Sequence, residues 1–159
     1  MSIRGMNHAV LYVRDASVHQ RFYQDVLGFE TMIDGPGPYV FMRAPKSNNH
    51  HDIAFFSVGE AAGPSEAGKG TVGMYHLAWE VGTLAELRDM QARLTEAGAL
   101  IGASDHGVNM SLYSKDPDGL EFEVMWLVPA EHWGAEENEA IVRPLDIDRE
   151  IERFARSDA

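Results

Sequence analysis

Two histidines and one glutamate stand at positions from which they could bind a single metal ion. His8 lies in the segment MNHAVLYV and His76 in the segment MYHLAWEV, and both segments have the apolar alternation of a β-strand. Glu123 lies in a third strand-like segment, LEFEVMWLV. Two neutral imidazoles and one carboxylate suit a divalent metal and leave coordination positions open for substrate, water or oxygen. An open metal site implies chemistry and not only stability.

The matched positions of the two histidines indicate an internal duplication. His8 and His76 are 68 residues apart, and each begins a strand pattern that is followed by a helical pattern and three further strand patterns. The later strands are predicted at 29–33, 39–43 and 52–58 in the first half, and at 99–103, 110–114 and 120–128 in the second. The sequence therefore predicts two βαβββ modules, over about 3–58 and 74–128. The Gly-, Pro- and Ser-rich stretch 59–73 indicates a linker between them.

The two predicted helices carry capping and packing signals. The first runs from about Asp15, a good N-cap residue, to about Gly28. Its predicted buried positions are Val18, Phe22 and Val26. The second begins with the capping box Thr83-Leu-Ala-Glu86 and ends at Gly98. Its predicted buried positions are Leu84, Leu87, Met90 and Leu94.

Because side chains alternate between the two faces of a strand, the sequence indicates which residues share a face with each candidate ligand. The sets that share a face are His8, Val10 and Tyr12; His76, Ala78 and Glu80; and Glu121, Glu123 and Met125. A lone histidine in an apolar strand is more often a hydrogen-bonded core or surface residue than a ligand. Two histidines at matched points of a duplication, together with a glutamate in an apolar strand, favour a metal site.

The composition narrows the possible function classes. The chain has 159 residues, enough for one compact domain, which we place at 1–128. It has 13 Lys plus Arg against 25 Asp plus Glu, and the resulting net charge of −12 has the wrong sign for a binder of nucleic-acid phosphates. The absence of cysteine excludes disulfides and thiolate ligands. No apolar run is long enough to span a membrane, and the N-terminal residues lack a secretory pattern. We expect a soluble, cytoplasmic protein that binds neither nucleic acid nor a membrane.

The residues after the second module form an acidic tail, 129–159. A short amphipathic helix is predicted to begin at Asp146 and to carry Ile147, Ile151 and Phe154. We interpret the tail as a packing element or a dimer contact. A homo-oligomer is expected, with a dimer favoured.

Over about residues 3–128 the chain resembles the vicinal oxygen chelate superfamily, which includes glyoxalases, extradiol dioxygenases and antibiotic-resistance proteins. The resemblance implies an α+β fold in which two paired βαβββ modules form a curled mixed sheet around a metal cavity. It implies metal ligands on the first strand of each module and on the last strand of the second, where His8, His76 and Glu123 stand. The turn Asp116-Pro-Asp-Gly119 before Glu123 is similar to the usual ending of the family.

The second module most closely resembles the extradiol ring-cleavage signature. The matching residues are His106, Leu112-Tyr113, Asp116-Pro117, Gly119 and Glu123, with Ser104 as a departure. Separately, His51-Asp-Ile-Ala-Phe55 resembles the segment that carries the catalytic acid-base histidine of these enzymes. The resemblance implies a non-haem Fe(II) dioxygenase, with Mn(II) also accommodated, that cleaves a small catechol-like aromatic with O2. Tyr113 and His106 would orient the ring hydroxyls, and His51 would serve as the general acid-base group.

Three alternatives within the superfamily remain open. A glyoxalase I-like isomerase or lyase uses a fourth protein ligand on the last strand of the first module. The 68-residue offset from Glu123 places Phe55 at that position, which provides no carboxylate, so His51 or Asp52 would have to move in as the fourth ligand. A resistance protein of the bleomycin type traps its ligand without a metal, and the acidic charge would suit a basic drug. A fosfomycin-type transferase would share the ligand triad but not the ring-cleavage signature.

Overall fold

Residues 2–157 are described by a computed structural model. The chain forms two compact units. The first contains the residues up to Ser65 together with Pro117–Gly119, and the second contains Glu66–Asp116 and the residues from Leu120 onward. The boundary near Ser65 falls inside the predicted linker. Each unit contains one of the predicted modules, so the two are described separately.

The first unit is a βαβββ module with a four-stranded sheet. Its elements are β1 (Ala9–Val13), α1 (Ala16–Asp25), β2 (Glu30–Gly35), β3 (Tyr39–Arg43) and β4 (Ile53–Ser57). The strand order is β1-β4-β3-β2. β1 runs parallel to β4, and the other neighbours are antiparallel. The first and last strands of the module are therefore neighbours, which sets the residues before β1 beside those before β4.

The second unit repeats this arrangement and adds a C-terminal extension. Its module consists of β5 (His76–Val81), α2 (Leu84–Glu96), β6 (Leu100–Asp105), β7 (Asn109–Lys115) and β8 (Glu121–Leu127). Two 3-10 turns follow at Ala130–His132 and Gly134–Asn138, and then β9 (Arg143–Pro144) and α3 (Ile147–Ser157). The strand order is β5-β8-β7-β6-β9, with β5 parallel to β8. The predicted tail helix is confirmed, whereas β9 had no counterpart among the predicted strands.

These elements confirm the predicted α+β class and the paired βαβββ modules. The modules form two mixed sheets, of four and five strands, and neither sheet is closed. Each sheet has a helix packed on one face, α1 in the first unit and α2 in the second. Among residues 2–157 we find no helix with the length and apolar character needed to span a bilayer.

Helix α1 begins where the sequence predicts, but it buries a different face. Asp15 is the N-cap, and its carboxylate accepts a hydrogen bond from the Ser17 N–H at 2.7 Å. The buried residues of the helix are Ala16, His19 and Tyr23, whereas the predicted Val18 and Phe22 are only half-buried. The buried stripe is displaced by one residue from the predicted one and includes a histidine. His19 is 1% exposed, and its Nδ1 hydrogen-bonds the Asp15 carbonyl at 3.1 Å.

Helix α2 follows its predicted signals closely. The Thr83 hydroxyl accepts from the Glu86 N–H at 3.1 Å, and the Glu86 carboxylate accepts from the Gly82 N–H at 2.8 Å. Gly98, which follows the helix, adopts a φ of +66°, a conformation that glycine reaches without strain. Three of the four predicted apolar positions are buried, namely Leu84, Leu87 and Leu94, while Met90 is half-buried.

The two faces of β4 have different environments. Phe55 is fully buried, and its ring lies 4.8 Å from that of Tyr23 and 5.0 Å from that of His19, on the side of α1. Phe56 is half-buried on the opposite face, where its ring lies 5.9 Å from that of Phe41. The pleat thus separates a core face from a second face that carries the residues of interest for function.

We expect the Phe55→Ala substitution to lower the free energy of unfolding by about 3–5 kcal/mol, because it leaves a cavity in the core beneath α1. Phe56→Ala is the matched control, since it removes the same atoms from the less buried face and should destabilise clearly less. Urea unfolding followed by circular dichroism would measure both. Equal losses would contradict this assignment of the faces.

Candidate active site

The parallel pairing of β5 with β8 brings two of the predicted metal ligands together. The register sets Ala78 opposite Glu123, so His76 lies two residues away on the same face. His76 Nε2 is 3.1 Å from Glu123 Oε2. Glu123 is only 7% exposed, and the side chain of His76 is 27% exposed. A buried carboxylate next to a partly accessible imidazole provides two donor atoms that could bind one metal ion.

The geometry of this pair fits adjacent positions on one divalent ion. Two ligand atoms that each bind a metal at about 2.1 Å in neighbouring positions lie about 3 Å apart. To bind a metal through Nε2, a neutral His76 must carry its proton on Nδ1. His76 Nδ1 is buried without a hydrogen-bond partner among the described residues, so no acceptor in this part of the chain fixes the proton there. Across residues 2–157, no group of three or more His, Asp or Glu side chains is arranged to hold a metal. The His76–Glu123 contact therefore brings together two of the three predicted donors.

Tyr113, on β7, and His106, directly after β6, lie beside this pair. Tyr113 pairs directly with Glu123 across β7 and β8, and its ring centre is 5.9 Å from that of His76. Its hydroxyl is 2.8 Å from His106 Nε2. Burial, followed by the negative charge of Glu123, raises the pKa of the Tyr113 phenol. The phenol is thus held protonated as a hydrogen-bond donor. The second unit places four of the six predicted site residues in one patch.

The other two predicted residues, His8 and His51, meet in the first unit. His8 is exposed just before β1, His51 is half-buried just before β4, and their ring centres are 4.5 Å apart. The edge of His51 also meets Phe41 at 5.0 Å, and its Nδ1 lies 3.1 Å from His50 Nδ1. Burial, with the neighbouring imidazoles of His8 and His50, lowers the pKa of His51. This environment favours a neutral imidazole at neutral pH.

Comparison with known proteins identifies the family. Residues 5–124 match the Glyoxalase/Bleomycin resistance protein/Dioxygenase superfamily. The chain belongs to this superfamily. This confirms the resemblance inferred from the duplicated modules and from the residues around Glu123.

The relatives of the chain within the superfamily have different activities. Biphenyl-2,3-diol 1,2-dioxygenase 3 of Rhodococcus globerulus is 33% identical over 118 residues, which cover 74% of this chain and 60% of the relative. The chain therefore spans less than two thirds of that relative. Among solved structures, a glyoxylase/bleomycin resistance protein/dioxygenase domain from Frankia sp. EAN1pec has a TM-score of 0.68 at 23% identity, covering 82% of this chain and 98% of that one. Lactoylglutathione lyase from Agrobacterium tumefaciens has a TM-score of 0.60 at 23% identity, covering 84% and 99%. At these identities the two structures show the fold alone.

Ala54 in the first module corresponds to Glu123 in the second. Glu123 pairs with Ala78 on β5, and the equivalent pair on β1 and β4 is Val10 with Ala54. The prediction that Phe55 occupies the position was therefore wrong by one residue, because the spacing between the paired strands differs by one residue between the modules. The conclusion that no carboxylate stands there is unchanged.

Asp52 is not a substitute for the missing carboxylate. Its side chain accepts hydrogen bonds from the Ala44 N–H, the Ser47 hydroxyl and the Asn49 amide at 2.7–2.8 Å. These bonds hold the loop between β3 and β4 in place. The carboxylate that could have served as a fourth ligand is committed to that loop.

Sequence reasoning missed several residues that contact the site. The Asn109 amide donates to the Ser111 hydroxyl at 2.6 Å and lies 3.4 Å from Glu123 Oε1. The ring of Tyr75 packs against that of His76 at 4.7 Å. Asn109 lies two residues from Ser111 on β7, and the strand period would have found both. The backbone carbonyl of Ile141, which is 2.6 Å from His106 Nδ1, leaves no signal in the sequence.

A cluster of charged side chains, the Arg143 clamp, lies next to His106. It consists of Arg143, Asp105 and Glu136, with Arg143 Nε 3.0 Å from Asp105 Oδ2 and Nη1 2.8 Å from Glu136 Oε1. The other oxygen of Asp105 accepts from the Gly107 N–H at 2.7 Å. Burial alone would raise the pKa of Asp105, but the Gly107 N–H and Arg143 outweigh it and hold the pKa below its ordinary value.

The lowered pKa of Asp105 predicts a pH dependence of stability. A carboxyl group with a depressed pKa in the folded state stabilises the protein above its unfolded pKa, and this contribution is lost as pH falls through the folded value. We expect Asp105→Asn to destabilise the protein near pH 7 and to approach the parent as pH falls below the ordinary aspartate pKa of about 3.9. Asp148→Asn, at an exposed position on α3, is the control and should run parallel to the parent. Thermal midpoints across this range would test it, and a constant difference for Asp105→Asn would contradict it.

Proposed function

We propose that this chain is a metal-dependent extradiol dioxygenase that cleaves a small catechol-like aromatic with O2. The observation that carries the proposal is the patch in the second unit. There, the His76–Glu123 pair at 3.1 Å stands beside the Tyr113–His106 pair at 2.8 Å. Ligand atoms and proton-handling groups thus share one sheet face. The relationship to a biphenyl-2,3-diol 1,2-dioxygenase supports this chemistry over other activities of the superfamily.

His76 Nε2 and Glu123 Oε2 are the proposed ligand atoms in the second unit, and His8 is the proposed third ligand. Support for His8 comes from the duplication. Val10 and Ala78 are equivalent positions in the two modules, and His8 and His76 each lie two residues before them. The donor set of two imidazoles and one carboxylate suits Fe(II), with Mn(II) as the alternative. When bound, such a metal supplies a Lewis acid with open positions for the catechol oxygens and O2.

Tyr113 and His106 would orient the ring hydroxyls of the substrate. The phenol of Tyr113 stays protonated because its pKa is raised, and it donates to His106 Nε2 at 2.8 Å, so its oxygen can accept a hydrogen bond from a substrate hydroxyl. His106 Nδ1 faces the carbonyl of Ile141 and therefore carries the proton, which leaves Nε2 as an acceptor. A substrate hydroxyl could thus pass its proton through Tyr113 to His106 Nε2.

His51 would supply the general acid-base function. Its pKa is lowered by burial and by His8 and His50, so it starts neutral and can take up a proton. Its Nδ1 faces His50, which leaves Nε2 to exchange the proton with the reacting group. The edge contact with Phe41 restricts the orientation of the ring.

The main test is anaerobic loading with Fe(II) or Mn(II), followed by a screen of catechols with O2 for the yellow ring-opened product. The methylglyoxal-glutathione adduct, fosfomycin and bleomycin should be tested in parallel. Loaded protein should open at least one catechol ring. Turnover of the adduct without ring cleavage would instead identify a glyoxalase-type enzyme, and drug binding without turnover would identify a resistance protein.

Glu123→Ala should abolish stoichiometric metal binding and with it ring cleavage, because it removes the anionic ligand. Glu121→Ala is the matched control, since Glu121 lies two residues earlier on β8, whereas the carboxylate next to His76 Nε2 is that of Glu123. Metal content by elemental analysis and circular dichroism should be measured on both variants. A folded Glu123→Ala protein that keeps full metal content would show that the ligand assignment is wrong.

Replacing His51 by Gln should leave metal content and catechol binding nearly unchanged. It should slow ring cleavage by about 10²–10⁴-fold, the usual loss for a general acid-base group. His132→Gln, at an exposed histidine of the C-terminal extension, is the control and should keep the parent kcat. If His51→Gln turned over catechols at the parent rate, His51 would not be the acid-base group.

A further inference from the structure

The segment after the second module lies against β6, next to His106. Its short strand β9 runs antiparallel to β6, with Arg143 opposite Asp105 and Pro144 opposite Ser104. Asp105 immediately precedes His106. The pairing therefore places the residues just before Arg143 close to the imidazole, and the Ile141 carbonyl lies 2.6 Å from His106 Nδ1.

The two nitrogens of His106 have different partners, and these determine its tautomer. A carbonyl oxygen only accepts hydrogen bonds, so the short contact with Ile141 requires a proton on Nδ1. In the neutral ring, Nε2 then carries the lone pair. It accepts from the Tyr113 hydroxyl at 2.8 Å. With the opposite tautomer, Nε2 would donate, and the ring could not accept a proton from Tyr113 or from a substrate hydroxyl.

The Arg143 clamp holds the carbonyl in this position. One guanidinium contacts Asp105 at 3.0 Å and both oxygens of Glu136 at 2.8 and 3.1 Å. Glu136 and Arg143 flank Ile141 in the sequence, so the clamp ties both sides of the carbonyl to the residue before His106. Bidentate pairing of this kind gives geometric specificity as well as attraction.

Gly107 provides independent support for the closeness of this packing. Its φ is +81°, and a Cβ atom built there would lie 2.5 Å from Glu136 Oε2. A larger residue directly after His106 would therefore displace the clamp. Both neighbours of His106 in the sequence thus contribute to holding the C-terminal segment, Asp105 through its charge and Gly107 through its lack of a side chain.

We propose that Arg143 is a positioning residue of the active site, which holds the Ile141 carbonyl against His106 and thereby selects the Nδ1–H tautomer. The C-terminal segment is then part of the site and not only a packing element. The tautomer itself is independent of substrate, whereas its use in orienting a catechol hydroxyl rests on the proposed function.

The test is long-range ¹H–¹⁵N NMR on uniformly labelled, metal-free protein, which distinguishes protonated from unprotonated imidazole nitrogens. The spectrum of a His106→Gln variant identifies the His106 signals. The parent should show a protonated Nδ1 and an unprotonated Nε2. Arg143→Met should shift His106 towards a mixture of tautomers, and Arg143→Lys should retain part of the parent signal. Arg156→Met, which removes an exposed ion pair with Glu152 on α3, should match the parent.

The functional readout is kcat/KM for the best catechol with metal-loaded protein. Arg143→Met should lower it by about 10–100-fold at unchanged metal content, as expected for loss of a residue that orients a site group.

The proposal is overturned if the Arg143→Met protein shows the same His106 tautomer as the parent, even if the variant is less stable. If Arg143→Met does not fold, Glu136→Gln takes its place and should produce a smaller shift in the same direction. A tautomer change in a protein that opens no catechol would refute the proposed function but not the role of Arg143.

Discussion

The parallel pairing of β5 with β8 is the interaction on which the candidate site depends. Its register aligns Ala78 with Glu123 and so brings His76 to within 3.1 Å of the carboxylate. Glu123 is almost fully buried, and a buried carboxylate without partners would be strongly unfavourable. The imidazole of His76 and the side-chain amide of Asn109 lie close enough to the Glu123 carboxylate to interact with it. A shift of one residue in the register would turn Glu123 towards α2 and separate the pair.

The duplication produces two similar sheets with different chemistry on their corresponding faces. The second module carries an imidazole, a carboxylate and a phenol on that face. The first module has Ala54 in place of the carboxylate, and its two histidines His8 and His51 lie just before β1 and β4. With one carboxylate in its ligand set, a divalent ion keeps a net positive charge. Such an ion attracts anionic substrate oxygens. The asymmetry between the modules thus bears directly on which reactions the site could support.

The C-terminal extension gives the second unit features that the duplicated module lacks. It adds β9 to the sheet edge, and α3 packs Phe154 against Trp126 with ring centres 5.0 Å apart. Just before β9, the backbone carbonyl of Ile141 reaches His106. A main-chain carbonyl can fix a histidine tautomer as effectively as a side chain, provided that other contacts hold the segment in place. The two carboxylates of the Arg143 clamp meet this condition through a single guanidinium.

The sequence by itself determined the two modules, most strand positions, the Thr83 capping box and the shared face of His76, Ala78 and Glu80. These features depend on hydrophobic period and capping groups, which act between residues close in sequence. Tertiary structure alone decided the burial of His19, the equivalence of Glu123 with Ala54, and the contact between Ile141 and His106. Each of these depends on strand register or on hydrogen-bond partners brought from distant segments. A backbone carbonyl is also present at every residue, so no pattern of side chains could have marked Ile141 in advance.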